Sequence, residues 1–156
     1  MKTLFALILS LFVFGAVHAQ SKSVQSLYEK YQDEEDFFNL NLSGNFFDFA
    51  DGLDFDFDSQ GIKAMTKSVD AMRFFKLPVS LSTAQSDFKQ LQKGLKRENY
   101  ELMMEMSEKD SEILIYSKGD DIISDLVLLI GNTEEDYMVV ELQGEFESEA
   151  IANSLP

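Results

Sequence analysis

The stretch "YELMMEMSEKDSEILIYSKGDDIISDLVLLIGNTEEDYMVVELQG", Tyr100 to Gly144, decides the fold class. Four runs within it are strand-like: YELMMEM (100–106), EILIYSK (112–118), DLVLLIG (125–131) and YMVVELQG (137–144). Their apolar side chains recur with a period near two, the period of a β-strand. The pieces between them, SEKDS, GDDII and NTEED, are polar turns too short for a crossover, so consecutive strands must pair antiparallel as a meander. DLVLLIG is apolar at neighbouring positions, which predicts a central strand covered on both faces.

Upstream of the meander the period changes to that of a helix. STAQSDFKQLQKGLKRENY (82–100) places Ala84, Phe88, Leu91 and Leu95 on one stripe. Ser82 and Gln85 have the spacing of a capping box. Lys89, Lys93, Lys96 and Arg97 gather toward the C-terminal end, where the helix dipole favours cations, and read as a solvated face. Further back, AMRFFKLP (71–78) reads as a strand stopped by Pro78, and QGIKAMTKSVD (60–70) as a short helix. FFNLNLS (37–43) alternates, which predicts a strand with Phe38, Leu40 and Leu42 buried and Asn39 and Asn41 facing out. NFFDFAD (45–51) follows as a short helix ending near Gly52. KSVQSLYEKYQ (22–32) carries Val24, Leu27, Tyr28 and Tyr31 on one helical face, and DEED (33–36) turns the chain toward the strand. The tail EFESEAIANSLP (145–156) reads as a short helix or an extension without regular structure. The fold class expected is α+β in a single domain over 20–156, with helices packed on a mainly antiparallel sheet and a C-terminal four-strand meander.

The first residues carry a different message. MKTLFALILSLFVFGAVHAQ has a cationic Lys2, an apolar run from Leu4 to Val17, and a small-residue pattern at Val17-His18-Ala19. These are the parts of a secretory signal peptide, expected over 1–19 and removed to leave Gln20 as the first residue. The apolar run is shorter than the roughly 20 residues of a spanning helix, so no membrane span is expected after cleavage. No cysteine follows it, so the protein is not expected to be a lipoprotein. The destination is the periplasm or the exterior.

Cleavage also limits the chemistry. The single histidine, His18, leaves with the signal, and the chain has no cysteine. Histidine- or cysteine-based nucleophile systems and zinc sites of the Cys/His kind are thereby excluded. Losing Lys2 leaves 12 basic against 28 acidic residues, a net charge of −16. Such a balance repels nucleic acid backbones. No phosphate-cradling loop, nucleophile elbow or S-x-x-K sequence is present. Met103, Met104 and Met106 fall in a strand and read as packing residues. No catalytic residue and no cofactor is assigned, and the chain is expected not to be an enzyme.

One segment invites a site. FFDFADGLDFDFDSQ (46–60) interleaves aspartates with phenylalanines. Asp54, Asp56 and Asp58 alternate as in a calcium loop, but Ser59 stands where that loop needs glycine and Met65 where it needs a bidentate glutamate. A divalent-cation (calcium) protein using this acidic 48–58 stretch is therefore an alternative reading. The leading reading is an irregular loop or edge that tucks phenylalanines onto the core. Phe55 and Phe57, if exposed, are candidates for contact with a partner. A carboxylate-based hydrolase is a second alternative, because 28 acidic residues always offer some pair at a workable distance.

The order of these elements, with LYEKYQ, FNLNLSGNFF, LKRENYELMMEM and then IYSKGDDIISDLVLLIGNTEEDYMVVELQGEF, resembles domain-of-unknown-function family 4252, exported proteins of Bacteroidetes-type bacteria. The resemblance runs from about Ser21 to Ile151. Its most specific parts are YELM, DLVLLIG and VELQGEF. It implies an exported single-domain α+β protein and no established activity or catalytic residues. Many such proteins look like lipoproteins, and the stretch from Asp51 to Asp58 falls where they vary. The function expected is non-catalytic: an exported binding or interaction module for a protein partner or envelope component, held on the sheet surface or near the Phe-rich acidic stretch.

Overall fold

The meander expected from Tyr100–Gly144 forms, and two further strands join it. The computed structural model describes residues 20–44, 68–78, 83–132, 136–149 and 151. Its main elements are α1 (Lys22–Tyr31), β1 (Phe38–Ser43), β2 (Val69–Lys76), α2 (Ala84–Arg97), β3 (Glu101–Ser107), β4 (Ser111–Gly119), β5 (Ile122–Asn132) and β6 (Tyr137–Glu147). The sheet order is β1-β2-β6-β5-β4-β3 with every neighbouring pair antiparallel. The fold class is α+β, as the sequence predicts.

Several boundaries differ from the sequence reading. Ile122 and Ile123 belong to β5 and not to the preceding turn, which Gly119 makes possible with a φ of 117°. GEFE continues β6 to Glu147, so the tail begins later than expected. Val69 and Asp70 are strand residues of β2, whereas the reading put them in a helix. Ser68 is a turn residue; residues 60–67 of that expected helix, and the helix expected over 45–51, lie outside the described residues.

Alternation along each strand gives the sheet two faces. One face carries Phe75, Val139, Leu129 and Leu114 side by side on β2, β6, β5 and β4. Both helices pack on it: Val24, Leu27 and Tyr31 of α1 and Ala84, Phe88, Leu91 and Leu95 of α2 join those residues in one buried core. The expected apolar stripes of the two helices are therefore the observed ones. Tyr28 is half-buried beside them, edge-on to Phe37 (5.4 Å) and Phe75 (5.6 Å). Aromatic rings favour such tilted contacts because the positive ring edge meets the negative face.

Helix ends show how local chemistry is settled. Ser21 caps α1, its Oγ accepting from the Val24 N–H at 3.2 Å. In α2 the N-cap is Thr83, which makes no side-chain cap bond, in place of the expected box from Ser82. The Thr83 hydroxyl is used across the interface instead, 3.1 Å from the Tyr31 hydroxyl. At the other end Asn99 takes φ 63°, the Tyr100 N–H bonds the Leu95 carbonyl and the Asn99 N–H bonds that of Lys96. This is a Schellman stop, and it turns the chain directly into β3.

Two glycines permit close approach. A Cβ on Gly94 of α2 would sit 2.1 Å from Ser23 Oγ of α1, so the bare backbone there lets the helices touch. A Cβ on Gly144 of β6 would sit 1.8 Å from the Ser68 carbonyl oxygen, a backbone atom at the entry to β2. Gly144→Ala is therefore expected to push β2 away from β6 and cost about 1–3 kcal/mol, read as a melting temperature several degrees lower; an unchanged melt would contradict this contact.

Candidate functional site

The sheet face away from α1 and α2 also carries apolar rows. Leu40, Phe74, Val140, Leu128, Ile115 and Met104 form a single row, one residue from each of the six strands. The next row runs Phe38, Lys76, Met138, Ile130, Ile113 and Met106. Lys76 is the one charged side chain in these two rows, and it pairs with Asp136 at 2.7 Å. In a chain of net charge −15, twelve neighbouring positions without an acid are a pronounced segregation. Toward one end Ile123, Phe146 and Ile151 close a smaller core on this face. Its margins are open: Phe38 is 55% exposed, Leu40 42% and Met106 41%.

This corrects the reading of β1 and β3. Phe38 and Leu40 do not face the main core; Asn39 and Asn41 stand on the helix side, paired with Phe75 and Arg73. β1 is an edge strand and the helices lie over the sheet's other face, so alternation fixed which residues share a side but not which side is covered. Phe37, just outside β1, takes the place expected for Phe38 and packs against Phe75. Met103 and Met106 are likewise exposed on the other edge strand, and of the three methionines Met104 alone is half-buried.

On the helix side, one corner is polar and buried. Glu141 and Asp125 are each 1% exposed, and Gln143 is buried between them on the same face. Glu141 Oε1 accepts from the Ser21 N–H at 3.2 Å, while its Oε2 accepts no hydrogen bond and lies 3.9 Å from Arg73 Nη1. Arg73 is largely committed elsewhere, donating to Gln25 Oε1 at 2.6 Å with its guanidinium 4.8 Å from the Tyr28 ring centroid. Burial pushes the Glu141 carboxyl up to about 7, against the pull of Arg73 and the Ser21 N–H. Tyr100 is pushed up by burial and by the nearby Asp125 and Glu141 carboxylates.

Glu98 behaves differently. Burial acts to raise its carboxyl, but hydrogen bonds from Ser23 and from the Lys22 N–H outweigh that and hold it below the usual range. The geometry explains the outcome: Glu98 Oε2 accepts from the Lys22 N–H at 2.9 Å and Oε1 from the Ser23 N–H at 2.8 Å. A carboxylate from the end of α2 thus caps the first turn of α1, where the helix dipole favours negative charge.

What can these groups do chemically? A cavity of about 120 Å³ opens beside Glu141, lined also by Gln20, Asn41, Arg73 and Gln143. That is well under the roughly 300 Å³ at which ligand pockets begin, and Asp125 does not line it. Among the described residues Glu141 is the one carboxylate that lines this cavity. Between α1 and α2 a wider cleft is lined by Lys22, Lys30, Lys93 and Arg97, with Lys30 bound to Asp87 at 2.5 Å. Among the described residues no group of three or more acidic side chains could hold a metal ion. Asp54, Asp56, Asp58, Phe55 and Phe57 lie outside the described residues.

The sequence reading missed Glu141, Asp125 and Gln143. The signal was present for β6: Tyr137, Val139, Glu141 and Gln143 alternate with Met138, Val140 and Leu142, which sets an acid on a face that also carries buried tyrosine and valine.

Glu141 carries a pH dependence with a definite sign. In the folded chain it holds its proton more tightly than the unfolded chain does. Its contribution is therefore complete below the ordinary value of 4.5 and lost as pH rises through about 7. For a chain carrying residues ahead of Gln20, urea midpoints are expected to fall between pH 5 and pH 8, by on the order of 3 kcal/mol at most. Glu141→Gln should flatten that slope.

Searches of curated proteins and of solved structures each found no match. Among the described residues no helix is long and apolar enough to cross a membrane. The family model described as "Domain of unknown function (DUF4252)" matches residues 28–154, which takes in every strand of the sheet, and the chain belongs to that family.

Proposed function

We propose that the protein is a non-catalytic binding module, exported to the periplasm, that holds a protein partner on the sheet face away from α1 and α2. One observation carries this reading: the acid-free apolar rows across all six strands, with Phe38, Leu40 and Met106 exposed at their margins. Contiguous apolar surface of this kind is characteristic of contact sites. An acidic protein that bound through charge would instead present its carboxylates at the contact. The apolar run of 4–17 and the Val17-His18-Ala19 pattern support export.

A photo-crosslinking side chain placed at Leu40 or at Met106 in cells is expected to give a discrete adduct with another protein. The same group at Lys89 or Lys93, on the exposed side of α2, should give none. Adducts of equal yield from all four positions, or only adducts within the chain, would overturn the reading. So would substrate turnover by the purified protein in a broad hydrolase screen.

The reading also expects calcium to be inert. Millimolar calcium at fixed ionic strength should leave the melting temperature of residues 20–156 unchanged. A rise of several degrees, as ligand at about 100 times its dissociation constant produces, that disappears in an Asp54→Asn, Asp56→Asn variant would favour the cation site instead.

A further inference from the structure

We propose that the cavity beside Glu141 receives the chain's own α-ammonium group, created at Gln20 when residues 1–19 are cut away, and that this ion pair stabilises the mature fold. The inference rests on the export reading for the cut itself, and on independent geometry for the pairing.

Glu141 is a carboxylate without an adequate counter-charge. It is 1% exposed, and its Oε2 accepts no hydrogen bond. The nearest cation, Arg73, stands 3.9 Å away with its guanidinium held by Gln25 and Tyr28. The other titratable groups around it add negative charge or none: Asp125 from β5, Glu98 from the end of α2, and Tyr100, whose ring is covered by the Lys118 ammonium at 5.2 Å. A buried charge is tolerated when a partner of opposite sign is close, and removing that partner is costly.

The chain's own backbone leads to this carboxylate. The Ser21 N–H donates to Glu141 Oε1 at 3.2 Å. One residue spans at most ~3.6 Å, so the Gln20 nitrogen lies within roughly 7 Å of the same oxygen. Gln20 itself lines the cavity with Glu141 and Gln143. In the uncut chain that nitrogen is a neutral amide. Cleavage after Ala19 turns it into an ammonium at the mouth of a cavity whose wall holds an under-compensated carboxylate. Maturation then supplies the missing charge, and the precursor is less stable than the product of cleavage.

The test uses residues 20–156, within which every described contact lies. Four chains are compared by urea and thermal melts from pH 6 to pH 10, with intact mass excluding loss of ammonia by cyclisation of Gln20: one beginning at Gln20 with a free amine, one with a single glycine ahead of Gln20, and each of these with Glu141→Gln. At pH 7 the chain beginning at Gln20 should melt several degrees above the glycine-extended one. That gap should vanish with Glu141→Gln, and also above the titration of the amine. An equal gap in both backgrounds, or none, overturns the pairing. If Glu141→Gln does not fold, the wild-type amine is titrated directly after ¹³C-methylation by NMR. A pKa above the ordinary α-amino value of about 8 supports the pair, and a value at or below it overturns it. Cleavage is read separately, from the intact mass of the exported protein. A first residue other than Gln20 overturns the proposal at the cleavage step, whereas an unprocessed chain overturns the export reading.

Discussion

Strands β5 and β6 are eleven residues each and pair over nearly their whole length, from Ile122 opposite Glu147 to Gly131 opposite Tyr137. Every other element is placed by this ribbon. β4 adds to one side and β2 to the other, and the helices rest on the apolar rows that β5 and β6 present at the sheet's centre. A two-stranded ribbon alone is marginal in water, and three or more strands with a covered face are needed for independent stability. The ribbon therefore demands partners, and its pleat divides them between two faces.

Among the described residues both long helices, α1 and α2, lie on one of those faces, while Ile151 of the C-terminal helical residues packs on the other. α1 and α2 are fastened to each other as well as to the sheet: Ser23 nests against Gly94, Glu98 caps α1, and Asp87 meets both Lys30 and the Tyr31 hydroxyl. This makes the helical layer a unit with one apolar underside, and a single unit covers a single face. The other face carries two apolar rows free of acids among the described residues. The covered face tolerates polarity at one corner, where Glu141, Asp125 and Gln143 sit beside the start of α1. Buried carboxylates of this kind contribute little net stability unless their charge is compensated, and the position of that corner at the entry of the chain into the fold is what gives it interest.

Much of this was legible in the residues. The period-two runs after Tyr100, the stripe Ala84-Phe88-Leu91-Leu95 and the face Val24-Leu27-Tyr31 were readable because local periodicity and burial agree in them. The misreadings share one cause. Phe38, Leu40, Met103 and Met106 are apolar residues on strands and were expected inside, yet β1 and β3 are the two edges of the sheet. Strand order is a long-range property: β2 pairs with β6 across more than sixty residues of sequence, and no local pattern reports it. Ser82, expected to cap α2, lies outside the described residues; the N-cap is Thr83, whose hydroxyl meets Tyr31 on another helix.

The sequence by itself determined the class of fold, the antiparallel meander, the apolar face of each helix and the absence of histidine and cysteine chemistry beyond residue 19. These follow from side-chain type and spacing, which act within a few residues of the chain. Tertiary structure alone decided which sheet face lies under the helices and which strands form the edges. It alone decided that Glu141 is buried beside Ser21, 120 positions away in the chain. Contacts at such separations depend on how the whole sheet is ordered, and the energy that selects the order is shared among many half-buried side chains, none of which encodes it alone.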